Sequence, residues 1–162
     1  MITMPIKMKF EPSDNNFEVL VKKLTGFKGK ILFGVPRETS SNREDSHKAD
    51  NAYILSIMEH GSPVKNIPPR ELLKPVLEKH LDKIKTYFNE LYKCLLEGDS
   101  KGADSIMEQL ALRVETWGKS YFTEDNGWAP NKPATIKRKG SDKPLIDTGS
   151  LRQSIRGIYV KK

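Results

Sequence analysis

The residues most suggestive of chemistry are Leu145-Ile146-Asp147-Thr148-Gly149. Two apolar residues followed by Asp-Thr-Gly is the order in which aspartic proteases carry their catalytic carboxylate. That chemistry shares one proton between two aspartates, so a single copy could serve only in a homodimer. Such an enzyme also needs a flap and the rest of a strand-built barrel after the motif, whereas 15 residues follow Asp147 and the preceding chain reads as helical. The turn reading is stronger: Asp147 and Thr148 side chains close a turn, and Gly149 allows a positive φ. His47, His60 and His80 have no metal-ligand spacing between them, and neither His-Glu-x-x-His nor paired cysteine is present. Gly26-x-x-Gly29-Lys30 is too short for a phosphate loop. Cys94 sits beside Leu95 in a helical stripe and reads as a half-buried, inert thiol. Neither a catalytic set, a cofactor site nor a metal site emerges, and the expectation is a protein that is not an enzyme.

Charge is the other candidate for function. The net charge is +7 and the pI about 9.4, compatible with a solvated basic surface or with contact to nucleic acid or an acidic neighbour. The densest basic group is Lys132, Lys137, Arg138, Lys139 and Lys143, opposed by Asp142 alone. No aromatic interleaving or recognition-helix pattern accompanies it, which argues against sequence-specific binding. A small basic protein binding nucleic acid non-specifically is therefore one functional reading.

The elements that must carry these residues fit one domain over 1–162. A single cysteine excludes an internal disulfide. No apolar run approaches the ~18 residues of a membrane helix, and Met1–Phe10 lacks a signal peptide's continuous apolar core. The expectation is a soluble protein made in a cytoplasm, with no membrane partner. Ile6, Met8 and Phe10 alternate with lysines as a half-buried strand does. A helix capped by Ser13 or Asp14 is predicted to Leu24, and a strand over Ile31–Val35, both strands joining one small sheet. Arg37–Asp50 has almost nothing to bury and is predicted to be a mobile loop. Asn51–Met58 has helical spacing and stops at Gly61 and Pro63.

Leu73, Leu77, Leu81, Ile84, Phe88, Leu91 and Leu95 form one stripe, predicting a single helix over Pro75–Glu97. Ala103, Met107, Leu110, Val114, Trp117 and Tyr121 form a second, begun by Asp99 or Ser100. The short loop at Gly98 makes the pair an antiparallel hairpin, with Leu81 and Leu110 expected in its seam. Residues 128–149 are predicted to be an extended proline-containing loop. Trp128 is expected to be buried in its own domain or inserted into a neighbour. Ser150 and Gln153 match a capping box, and Ile155–Lys162 can form a final strand or arm. The fold class is α+β: a small sheet against a long helical hairpin, with extended loops.

Two segments carry a resemblance. Trp128-Ala-Pro-Asn-Lys-Pro-Ala-Thr-Ile-Lys-Arg-Lys, followed by Lys143-Pro-Leu-Ile-Asp-Thr-Gly-Ser-Leu-Arg-Gln-Ser-Ile, resembles the C-terminal signature of neck and tail-completion proteins of tailed bacteriophages. Upstream, Glu59-His60-Gly61-Ser62-Pro63 and Asn66-Ile67-Pro68-Pro69-Arg70 are similar to that family's Glu-x-Gly-x-x-x-x-Ile-Pro-x-Arg-Pro-Phe segment, with Glu71-Leu72 in place of Pro-Phe. The resemblance spans 51–160. It implies a structural virion protein in the connector between head and tail, assembled in the bacterial cytoplasm as a homo-oligomeric ring around the DNA channel. Its partners would be other neck, connector and tail proteins, with non-specific DNA contact in the channel. Together with the length of the 128–149 loop, uncommon in a compact domain without a functional role, it leads to the expectation of interface roles, toward another subunit or a neck partner, for Arg70, Trp128, Pro130, Lys137, Arg138, Lys139, Asp147, Thr148 and Gly149.

Overall fold

A computed structural model describes residues 2–3, 15–36, 50–140 and 149–161. The predicted strand over Ile6–Phe10, the loop over 37–49, His47 and the turn residues Leu145–Thr148 lie outside them. The described chain is α+β, as its patterning predicts.

Its centre is a helical hairpin. Helices α4 (Leu81–Glu97) and α5 (Ser100–Tyr121) are joined by Gly98, which adopts the left-handed conformation at φ 80° that glycine takes without a side-chain penalty. The Asp99 carboxylate then accepts the Gly102 N–H at 2.9 Å and caps α5. Ile84, Leu91 and Leu95 of α4 and Ala103, Met107, Leu110 and Val114 of α5 are buried, so the two periodic stripes meet as expected.

The sheet lies on α5. Strands β1 (Ile2–Thr3), β2 (Gly29–Gly34) and β3 (Arg156–Lys161) pair antiparallel in that order. The register sets Ile31 opposite Tyr159 and Phe33 opposite Gly157, and Ile31 and Phe33 are buried. Gly157 allows the close approach: a Cβ there would stand 2.0 Å from the Ala111 carbonyl oxygen of α5. Two α5 carboxylates fasten β3. Asp104 accepts from the Tyr159 hydroxyl and from the Lys161 ammonium. Glu115 accepts the Gly157 N–H at 3.1 Å and pairs with Lys119 and Arg156.

The remaining helices are α1 (Asn15–Gly26), α2 (Asn51–His60), α3 (Leu73–Lys79), α6 (Pro133–Lys139) and α7 (Ser150–Ser154). Among the described residues no helix is long and apolar enough to cross a membrane.

Three expectations are corrected. The predicted helix over Pro75–Glu97 is two helices, broken at His80, whose backbone (φ −109°, ψ 16°) is not helical. The His80 ring instead lies tilted against Trp117, with centroids 4.2 Å apart. The break re-phases the apolar stripe, burying Val76 and leaving Leu81 48% exposed, so Leu81 is not in the seam. Secondly, residues 128–149 are not without secondary structure. Pro133 opens α6, where its fixed φ suits the first turn, and Gly140 closes it at φ 70°. Thirdly, the Ser150–Gln153 capping box does not form. Gly149, left-handed at φ 75°, holds the cap position without a side-chain bond. Ser150 falls inside α7, and its hydroxyl accepts from Asn51 Nδ2 at 3.0 Å.

Candidate functional site

The segment ending at Arg70 and the segment beginning at Trp128 lie nearly sixty positions apart in the chain and meet in space. Arg70 is half-buried, and its Nε and Nη2 donate to the Ala129 carbonyl at 3.0 and 2.9 Å. Nη2 also reaches the Pro130 carbonyl at 3.4 Å. In return, the Trp128 indole N–H donates to the Glu71 carbonyl at 2.9 Å. The Trp128 ring stands edge-on to Tyr121 and Phe122, with centroids at 5.6 and 5.7 Å. Such aromatic pairs add roughly 0.5–1.5 kcal/mol beyond area burial. Lys132 Nζ adds a long contact to the Asn66 carbonyl at 3.5 Å.

The upstream segment is itself a pinned hairpin turn. Ser62 and Ile67 exchange backbone hydrogen bonds at 2.9 Å in both directions, and Asn66 N–H donates to the Pro63 carbonyl at 3.0 Å. Gly61 is required twice over. Its φ is +70°, and a Cβ would stand 2.9 Å from both Ile67 O and Pro69 N. Arg70 N–H donates back to the Met58 carbonyl at 2.7 Å, closing the loop onto α2.

Glu59 completes the junction. Its carboxylate accepts the N–H groups of Leu72 and Leu73, at 2.8 and 3.1 Å, at the start of α3. This helix has no side-chain cap of its own, so a residue from α2 supplies the missing acceptor. Burial pushes the Glu59 carboxyl above its ordinary value, despite the two N–H groups that favour the charged form. Burial likewise lowers the Arg70 guanidinium from its usual value.

The predicted interface residues therefore divide. Arg70, Trp128 and Pro130 come together, but Arg70 and the Trp128 indole are committed to their own chain. They shape the surface. Pro130 is exposed beside them, and Lys137 is exposed on α6. Arg138 and Lys139 belong to α6 by backbone. Gly149 sits apart from this junction at the start of α7, which Asn51 ties to α2 through Ser150 and Ser154. Asp147 and Thr148 lie outside the described residues.

Sequence reasoning missed the capping role of Glu59. One signal was available: Pro68-Pro69-Arg70-Glu71-Leu72 offers no Ser, Thr, Asp or Asn to start a helix, so the acceptor had to come from elsewhere. The β3 fasteners Asp104 and Glu115 were missed too, since they look like any exposed helix carboxylates.

Among the described residues no group of three or more His, Cys, Asp or Glu could hold a metal. What the junction can do is mechanical and electrostatic: it fixes two loops and a short basic helix relative to the hairpin core. Compared with protein-family models, with curated proteins and with solved structures, the chain matches none.

Proposed function

We propose that this protein is a structural component of a tailed-bacteriophage virion, placed in the neck where it joins head to tail. It acts by assembling into a ring around the DNA channel, without catalysis. The observation that carries this reading is the Arg70 contact with the Ala129 and Pro130 carbonyls. The upstream segment that resembles the neck and tail-completion family and the start of the downstream one, at Trp128–Pro130, are parts of one built junction. An assembly protein needs loops ordered before they meet a partner, because ordering them on binding costs affinity.

The basic helix α6, held out by that junction, is assigned to a partner surface, where its charges set register and partner choice more than affinity. Replacing Lys137, Arg138 and Lys139 with Ser is expected to leave helical content and thermal melting nearly unchanged. It is also expected to block completion of infectious particles, leaving heads and tails unjoined. A normal particle yield from the triple variant would overturn the assignment. Salt-dependent binding of arbitrary duplex DNA by the isolated protein, lost in the same variant, would instead favour a nucleic-acid-binding role outside any particle.

A further inference from the structure

The turn at Pro63–Asn66 presents Val64 at its apex, 98% exposed. A lone exposed valine on a loose loop needs no explanation. This one sits on a turn held by three backbone hydrogen bonds and by Gly61. Among the described residues, the Val64 and Lys65 carbonyls at the same apex accept no hydrogen bond, and Lys65 is exposed and without an ion pair. The apex is therefore a rigid apolar knob flanked by two free acceptors and one free cation.

A surface of matching character lies on another part of the chain. Between α4 and α5, beyond the break at His80, a groove of about 490 Å³ is lined by Lys83, Thr86, Tyr87, Glu90, Gln109, Arg113 and Trp117. Tyr87 and Trp117 are half-buried. Among the described residues, Lys83, Glu90 and Arg113 have no ion pair, whereas Lys85 and Lys119 on the same helices do. The groove thus offers aromatic surface for one aliphatic side chain, a carboxylate for a cation, and two cationic donors for carbonyl oxygens.

We infer that the Val64 turn of one copy seats in the α4–α5 groove of a second copy. Val64 packs on Tyr87 and Trp117, the Lys65 ammonium meets the Glu90 carboxylate, and Lys83 and Arg113 donate to the two apex carbonyls. The contact is heterologous, since knob and groove are different surfaces of one chain, and repetition of such a contact closes into a ring or runs on as a filament. A pre-formed turn loses little freedom on docking. This inference rests on the ring reading above and supplies its subunit contact.

The test is self-association of the full chain by sedimentation equilibrium. Wild type is expected to associate reversibly. Val64→Asp is expected to weaken association at least about tenfold, the loss that follows from withdrawing one buried valine. Lys65→Glu and Glu90→Lys, both at exposed positions, are each expected to weaken it, and together to restore it. A monomeric wild type, or undiminished association of Val64→Asp, or a double variant no better than the singles, would overturn the inference. The neck reading fails separately. If Val64→Asp abolished association yet particles were completed normally, the contact would stand and the neck assignment would fall. If wild type were monomeric while the α6 triple variant still blocked joining of heads to tails, the reverse would hold.

Discussion

The hairpin core and the Arg70–Trp128 junction are both ordered, but by opposite means. The core is held by apolar burial between periodic stripes. Leu91, Leu110 and Val114 are wholly enclosed, and an apolar side chain of similar volume there would contribute similarly. The junction adds the packing of the Trp128 ring on Tyr121 and Phe122 to bonds of another kind. It is held by a few directed bonds from Arg70, Trp128 and Glu59 to main-chain groups of distant segments. Burial is additive and tolerant, whereas directed bonds are few and each matters to one place. Stability resides in one region and the positioning of exposed surface in the other.

One substitution on each side separates the two regions. Leu110→Ala is expected to cost about 2–5 kcal/mol, the range for an enclosed leucine, read as a shift of the whole denaturation curve. Arg70→Ala is expected to cost about 1.5–3 kcal/mol, the range for hydrogen bonds to a charged group. Its signature should be local: faster hydrogen exchange at 62–71 and 128–132, with α5 unchanged. Equal acceleration throughout α5 would mean that the junction supports the core after all.

Glu59→Ala removes the acceptor at the start of α3, a loss of about 0.5–2 kcal/mol by the measure of other helix caps. Glu59→Gln keeps an acceptor oxygen and removes a charge that burial disfavours, so its thermal melting should stay close to wild type. A glutamine variant as unstable as the alanine variant would show that the charge itself is needed.

Acid should separate the two regions again. The Glu115 carboxyl is opposed by burial, but Lys119, the Gly157 N–H and Arg156 outweigh this and hold it below its ordinary value. Asp104 is held down by Lys161 and Tyr159. A depressed carboxyl contributes stability above its unfolded pKa and loses it as pH falls through the folded one. Glu59 is raised, so its contribution is greatest below its unfolded pKa and is lost as pH rises through the folded value. Lowering pH below the ordinary carboxylate range should therefore loosen β3 from α5 without loosening the start of α3. Residue-resolved exchange, corrected for intrinsic rate, would show it, and the opposite order would contradict these environments. The smallest effect belongs to Leu81→Ala, expected within about 0.5 kcal/mol of wild type because the residue is half exposed and outside the seam.

Leu81 also marks how far the sequence could be read. Spacing predicted a helix reaching Glu97 and a second one at α5, because burial follows helical period, and the short loop at Gly98 predicted their antiparallel pairing. It could not show the break, since Leu81 continues the stripe without interruption. At the break the His80 ring lies against Trp117, a contact across more than thirty positions that no local period reveals. A short apolar run marked β2 and alternation marked β3, but the missing side chain at Gly157 that admits α5 has no period. Of the candidate site, the resemblance singled out Arg70 and Trp128, while their shared junction was invisible because carbonyl acceptors look alike in every sequence.

That anonymity has a consequence for how the surface can vary. Arg70 recognises the oxygens of Ala129 and Pro130, which any amino acid would supply. The side chains along this loop can be exchanged for others that suit a different neighbour, and the anchor beneath them would still hold. A protein built this way can be refitted to new company by changing what it shows while leaving untouched what fastens it.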